Sequence, residues 1–317
     1  MRLIPSRARV RIRAWAYRAM IRVVRWTDQN LGIPALFWML LPWTLWEIRR
    51  RRRDYRYFAR LRRRLPEPFW RRTRALPHFI RMISRWQGGL CACLLYDRLR
   101  TPRWSQRCRT EGTPPDQHPE WGRRPVVLAF LHSEGYATLR YWLRSRGIPA
   151  ATMVGGFPPP LDQATFLAIR EMADFAYGFE DYPHTFTPNQ LKAMIQALRP
   201  GRVLAIALDG IATAGPLVEH PLEGTSIRLK DGAFRLAARS SAILMPVTIE
   251  QTSFLRFTFR FGEPVPEAWL SDADPRRAHD HLLVRLWDVA RRDPCSLTWS
   301  TLESLVPGEN RRRVGWP

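Results

Sequence analysis

Lysine is nearly missing from this chain of 317 residues, and none occurs among the first 126. Cysteine is sparse as well: Cys91, Cys93, Cys108 and Cys295 are the whole complement. The Cys-Ala-Cys spacing at 91–93 fits neither a zinc knuckle nor a thioredoxin-type motif. Four cysteines in a chain of this length point to a reducing compartment and exclude a disulfide framework. The pair His279 and His281 stands at i,i+2, which points the rings apart on a helix, so we expect surface residues there and no metal site. Arginines run through the first 25 residues and no small-residue cleavage site is evident, so no conventional signal peptide is expected. Helix-turn-helix, zinc-finger and RRM signatures are absent. There is no internal repeat, and no low-complexity tract beyond short arginine runs.

What the chain does have is positive charge in one place. Residues 1–126 hold 30 arginines against 8 acidic residues, a net +22, while the rest of the chain carries +1 of the total +23. Codon usage accounts equally well for arginine in place of lysine, but the charge remains. It calls for an anionic partner: membrane lipid, nucleic acid or an acidic protein. Aliphatic and aromatic residues make up 45% of the chain, enough for a sizeable core.

Residues 6–26 read as a basic amphipathic helix. Arg7, Arg11, Arg18, Arg22 and Arg25 share one face, with Trp15 and Trp26 beside them. The run LGIPALFWMLLPWTLW (31–46) has no charge, but a straight crossing needs about 20 residues. Pro34 and Pro42 are expected to break a helix there. Arginines flank the run on both sides, including 49–53, which favours both ends on the cytoplasmic side. The reading is a shallow or re-entrant anchor, and the alternative is a buried core helix. Residues 54–100 look helical and basic, and 101–125 look like a polar, proline-containing loop at a boundary. The expected division is 1–53 for membrane association, 54–120 for a basic helical region and linker, 121–306 for an α/β domain, and 307–317 for a tail.

From residue 126 strands and helices alternate. Strands are predicted at 126–131, 150–154, 202–208, 242–249 and 254–262. Helices are predicted at 137–146, 161–173, 189–199, 231–240 and 275–292. The pattern is a mixed central sheet flanked by helices. His132 and Asp209 each follow an apolar strand directly, where open α/β sheets gather their sites. Each is equally readable as a structural loop residue.

Five blocks in order resemble the lysophospholipid acyltransferase superfamily, in the branch of the lipid A late (lauroyl and myristoyl) acyltransferases, over about 120–305. They are VVLAFLH, ending on His132; PPPLDQATFLAIREMADF, with Arg170; LRPGRVLAIALDG, with Asp209 and Gly210; the segment carrying Gly224, Gly232, Leu236, Ala237 and Pro246; and the close RRDPCSLTWSTLESL. The Glu-Gly-Thr at 223–225 is similar to a glycerolipid acyltransferase motif but comes too late after the third strand to be counted.

The resemblance implies a membrane-associated O-acyltransferase on the cytoplasmic face of a bacterial inner membrane, held by a monotopic or re-entrant anchor. Its co-substrate is an acyl-ACP or acyl-CoA thioester, its acceptor a lipid or glycolipid hydroxyl, with no resident cofactor and no metal. Anionic membrane lipid is the implied surface partner, and nucleic acid is not expected. His132 is implied as the catalytic base, with Arg170, Asp209 and Gly210 at the substrate. The family pattern is His-x4-Asp/Glu, with the acid steadying the imidazole. Here the acid's place holds Ala137. Three readings follow: Glu134 replaces the acid as second catalytic residue, with Gly135 permitting the changed turn; a distant acid such as Asp209 replaces it; or the dyad is broken. The last gives an alternative function, a catalytically degenerate lipid-binding or scaffold protein. A basic nucleic-acid-binding protein is the third.

Overall fold

The computed structural model describes residues 22–64 except 29 and 51, 74–95, 101–152 except 134 and 137, 198–209, 217–222, 225–270, 276–293, 296–297, 299–305, and the single positions 15, 19 and 195. In chain order the elements are α1 (Ile33–Arg50), α2 (Arg52–Arg64), α3 (Ala75–Leu94), α4 (Pro102–Ser105), β1 (Cys108–Glu111), β2 (Val126–Phe130), α5 (Thr138–Ser145) and β3 (Ala150–Thr152). They continue with β4 (Val203–Ala207), β5 (Leu217–Leu222), β6 (Thr225–Lys230), α6 (Gly232–Arg239), β7 (Ile243–Ser253), β8 (Arg256–Phe261), α7 (Glu267–Leu270), α8 (Arg276–Arg292) and α9 (Trp299–Leu305).

Six strands form one mixed sheet in the order β1-β8-β7-β2-β4-β3, and β5 and β6 form a separate antiparallel hairpin. Strands β7, β2, β4 and β3 run parallel, while β8 is antiparallel to β7 and carries β1 parallel to itself. Every residue of β2 is buried, which is why its sequence is a continuous apolar run rather than an alternation. The strand period of two still shows in which face each residue serves. Val127, Ala129 and Leu131 join Leu204, Ile206 and Leu208 in one core, and Val126, Leu128 and Phe130 join Val203, Ala205 and Met245 in the other. Arg260 of β8 ties both of its neighbours to it, through Glu111 of β1 and Glu250 of β7.

The predicted strands and helices from 126 onward are present within a few residues of their expected bounds, except that 161–173 lies outside the described residues and of 189–199 only 195, 198 and 199 are described. Several elements went unread in the sequence: α4 and β1, which lie inside the stretch taken for a boundary loop, the β5–β6 hairpin, α7 and α9. A strand of four residues at the edge of a sheet is too short to show a period.

Helices α2 and α3 are built into the same body. Tyr57, Phe58 and Leu61 of α2 and Phe79, Met82 and Ile83 of α3 are buried in one core with β2 and β4. The expected break at Pro42 does not occur: α1 runs unbroken from Ile33 to Arg50 with Pro42 inside it. Ile33, Leu36, Leu40 and Thr44 recur every third or fourth residue and are buried, while Pro42 lies exposed. Packing along one face holds the helix through the missing backbone donor. The opposite face leaves Trp38, Leu45 and Trp46 exposed. Among the described residues no helix is long and apolar enough to cross a membrane.

His279 is a further correction. It was expected at the surface, but it shares a helical face with Leu282, Leu283 and Leu286 and is fully buried, stacked on His220 with ring centroids 4.3 Å apart. His281 points the other way, to the carbonyl of Glu263.

Candidate functional site

The site is made by two adjacent strands that end together. β2 and β4 pair in register, Val126 with Val203 through Phe130 with Ala207. The backbone N–H of Leu208 still bonds the carbonyl of Phe130 beyond the last paired residues. Two residues past the strands stand His132 and Asp209. The ring Nδ1 of His132 lies 2.7 Å from Asp209 Oδ1. The backbone N–H of His132 also donates to the same carboxylate, at 3.2 Å to Oδ1 and 3.1 Å to Oδ2.

Asp209 is fully buried and the His132 side chain 21% exposed. Burial pushes the Asp209 carboxyl up, but the charge and hydrogen bond of the His132 ring, the hydroxyl of Thr301 and the His132 backbone outweigh it and hold the group below its ordinary value. An ionised carboxylate only accepts hydrogen bonds, so Nδ1 carries the proton and donates it. In the neutral ring Nε2 is then the basic nitrogen.

The chain after His132 turns sharply. Tyr136 N–H bonds the Ser133 carbonyl and Thr138 N–H the Gly135 carbonyl, which starts α5. Ser133 Oγ donates to the carbonyl of Ile249 on β7, 2.5 Å away. Gly135 has φ +91°, and a Cβ there would meet the ring of Phe257 at 3.1 Å, so the turn needs glycine on both counts. Tyr136 packs edge-on against the His132 ring, with centroids 4.6 Å apart.

Of the residues singled out in the sequence, the fold thus brings His132 and Asp209 together. Glu134, Arg170, Gly210 and Gly224 lie outside the described residues. The carboxylate on Nδ1 is that of Asp209, the distant acid. Asp209 was also expected at the substrate; its carboxylate has no exposed surface and is held by His132 and Thr301. Gly232 opens α6, Leu236 and Ala237 are packed in the core beside the sheet, and Pro246 is a buried residue of β7 itself.

Sequence reasoning missed Thr301 and Ser304. Both are buried on α9, three residues apart and so on one face. Thr301 Oγ1 contacts Asp209 Oδ2 and lies 2.8 Å from the carbonyl of His132. Ser304 Oγ reaches the Asp209 carbonyl at 3.4 Å. Nothing in the spacing of two hydroxyl residues near the C-terminus signals a carboxylate 92 positions earlier. Surface recesses of about 640 Å³ beside Cys108, Trp142 and Arg146, and of about 350 Å³ beside Arg107 and Arg256, do not include the dyad.

No family model and no curated protein matches the chain. Among solved structures it is similar to the 1-acyl-sn-glycerophosphate (LPA) acyltransferase PlsC from Thermotoga maritima, at 14% identity, with 64% of this chain and 79% of that one covered and a TM-score of 0.34. The chemistry of the site is read from its own geometry.

Proposed function

We propose that this chain is an acyltransferase that moves a fatty acyl group from a thioester to a lipid or glycolipid hydroxyl at an anionic membrane surface. The observation that carries the reading is the His132–Asp209 contact at the ends of two parallel strands. Nε2 of His132 takes the proton of the acceptor hydroxyl as its oxygen attacks the thioester carbonyl. The tetrahedral intermediate collapses, the C–S bond breaks, and the imidazolium returns the proton to the departing thiolate. Asp209 keeps Nδ1 protonated and stabilises the imidazolium between the two steps.

The ordered sequence blocks favour acyl transfer over other uses of such a dyad, and they favour the lipid A late acyltransferase branch with an acyl-ACP or acyl-CoA donor. Asp209 supplies the carboxylate whose usual place is taken by Ala137, which weighs against the degenerate, scaffold-only reading. The exposed face of α1, with Trp38, Leu45 and Trp46, suits the interfacial region of a bilayer, and the arginines around it suit anionic headgroups. That combination favours lipid over nucleic acid and a location on the cytoplasmic face of a bacterial inner membrane.

The test is transfer of a labelled acyl chain from acyl-ACP and from acyl-CoA into lipid extract by the full-length protein on anionic vesicles. Turnover with one donor that vanishes in His132→Ala is expected. Absence of turnover with both donors, or turnover that survives His132→Ala, overturns the reading. Mass spectrometry of lipids from a deletion strain then names the acceptor by its missing acyl group.

A further inference from the structure

We propose that Thr301 is a positioning residue of the site: its hydroxyl holds the Asp209 carboxylate against His132, so that the dyad is a chain of three whose third member comes from the C-terminal helix. The inference rests on the reading of His132 as the base.

Thr301 is fully buried, and its hydroxyl has two oxygens within reach, Asp209 Oδ2 and the carbonyl of His132. Both oxygens only accept, and a hydroxyl has a single proton to give. While Asp209 is ionised the charge-assisted bond takes that proton. The Asp209 carboxylate is then held at one oxygen by the His132 ring and at the other by Thr301, with the His132 backbone N–H between. Without the hydroxyl, a fully buried carboxylate loses one of its donors, and its freedom to rotate away from Nδ1 rises. Ser304 on the same helical face reaches the Asp209 carbonyl, so α9 braces both the side chain and the backbone of the residue. Thr301 touches no reacting atom and acts through Asp209.

Full-length protein with ¹⁵N-labelled histidine is examined by NMR as wild type, Thr301→Val, Thr301→Ala and Thr301→Ser. In wild type and Thr301→Ser, His132 gives a low-field Nδ1 proton and a single tautomer near neutral pH. In Thr301→Val and Thr301→Ala the pH at which that resonance collapses on the acid side rises by about one unit or more, the size of one hydrogen bond to a charged group. An unchanged collapse in both overturns the proposal. Should neither variant fold, the wild-type Thr301 hydroxyl decides: it gives an exchange-protected resonance that shifts on acidification together with the Asp209 carboxyl, and a hydroxyl that ignores Asp209 overturns it. Acyl transfer is assayed separately. Wild type with the NMR signature and no turnover removes the acyl-transfer reading and leaves the chain of three standing. Turnover with a signature indifferent to Thr301 removes the positioning role alone.

Discussion

His132 and Asp209 stand 77 residues apart, the same offset that separates the paired residues of β2 and β4. Their contact is therefore the strand register continued two residues beyond Phe130 and Ala207. A histidine and an aspartate placed at the same height on neighbouring parallel strands meet without any special loop, because the strands lie only about 4.8 Å apart.

Substitution at the two candidate acids separates their roles. Asp209→Asn presents an amide to Nδ1, favours the wrong tautomer and withdraws the charge that stabilises the imidazolium. Acyl transfer is expected to fall by about 10²–10⁴-fold. Glu134→Gln is expected to leave turnover within about threefold of wild type, since the carboxylate on Nδ1 is already supplied. Steady-state rates under a single set of conditions decide it, and the reverse ranking would return the role to Glu134.

The same carboxylate predicts a pH dependence of stability. The folded Asp209 titrates below its ordinary value of 3.8, so between the two values the unfolded chain binds more protons than the folded one. Its stabilising contribution is complete above that ordinary value and is lost as pH falls through the folded one. Asp209→Asn cannot lose what it lacks. The difference in melting temperature between wild type and Asp209→Asn, measured by calorimetry, should shrink as the pH is lowered through the carboxylate range. A difference that grows with acid would contradict the sign.

Phe58 tests whether the basic helices belong to the body. It is fully buried in one core with residues of β2, β4 and α8. Phe58→Ala should cost about 3–5 kcal/mol and shift a single unfolding transition seen equally by far-UV and near-UV dichroism. A separate early transition confined to part of the helical signal would mark the region as its own unit.

The exposed face of α1 tests the surface reading. Trp38 and Leu45 are 67% and 58% exposed and seven residues apart on one side of the helix. Trp38→Gln and Leu45→Gln should each weaken binding to anionic vesicles about tenfold, as expected when a side chain half withdrawn from water contributes ~1.4 kcal/mol. The melting temperature should not move. Vesicle flotation unaffected by both changes would remove this face from the lipid contact.

The sequence by itself determined the α/β alternation after residue 126, because buried parallel strands read as short apolar runs and their covering helices carry a period near 3.6. It also placed His132 and Asp209 at strand ends. It left open which acid serves the histidine, because local spacing drew attention to Glu134 and to the vacated place at Ala137. Only the tertiary structure brings Asp209 to the ring, through the β2–β4 register that sequence does not display. The same holds for Thr301, brought to the carboxylate by the docking of a helix from the far end of the chain. The N-terminal third shows the limit from the other side. Its arginines and prolines mark surface and interruption in a linear reading, yet the apolar residues between them, Leu36, Phe58 and Phe79, are fully buried. Burial against partners distant in sequence outweighed the local signals of charge and of Pro42, since a helix held along one packed face keeps its course where an isolated one would break.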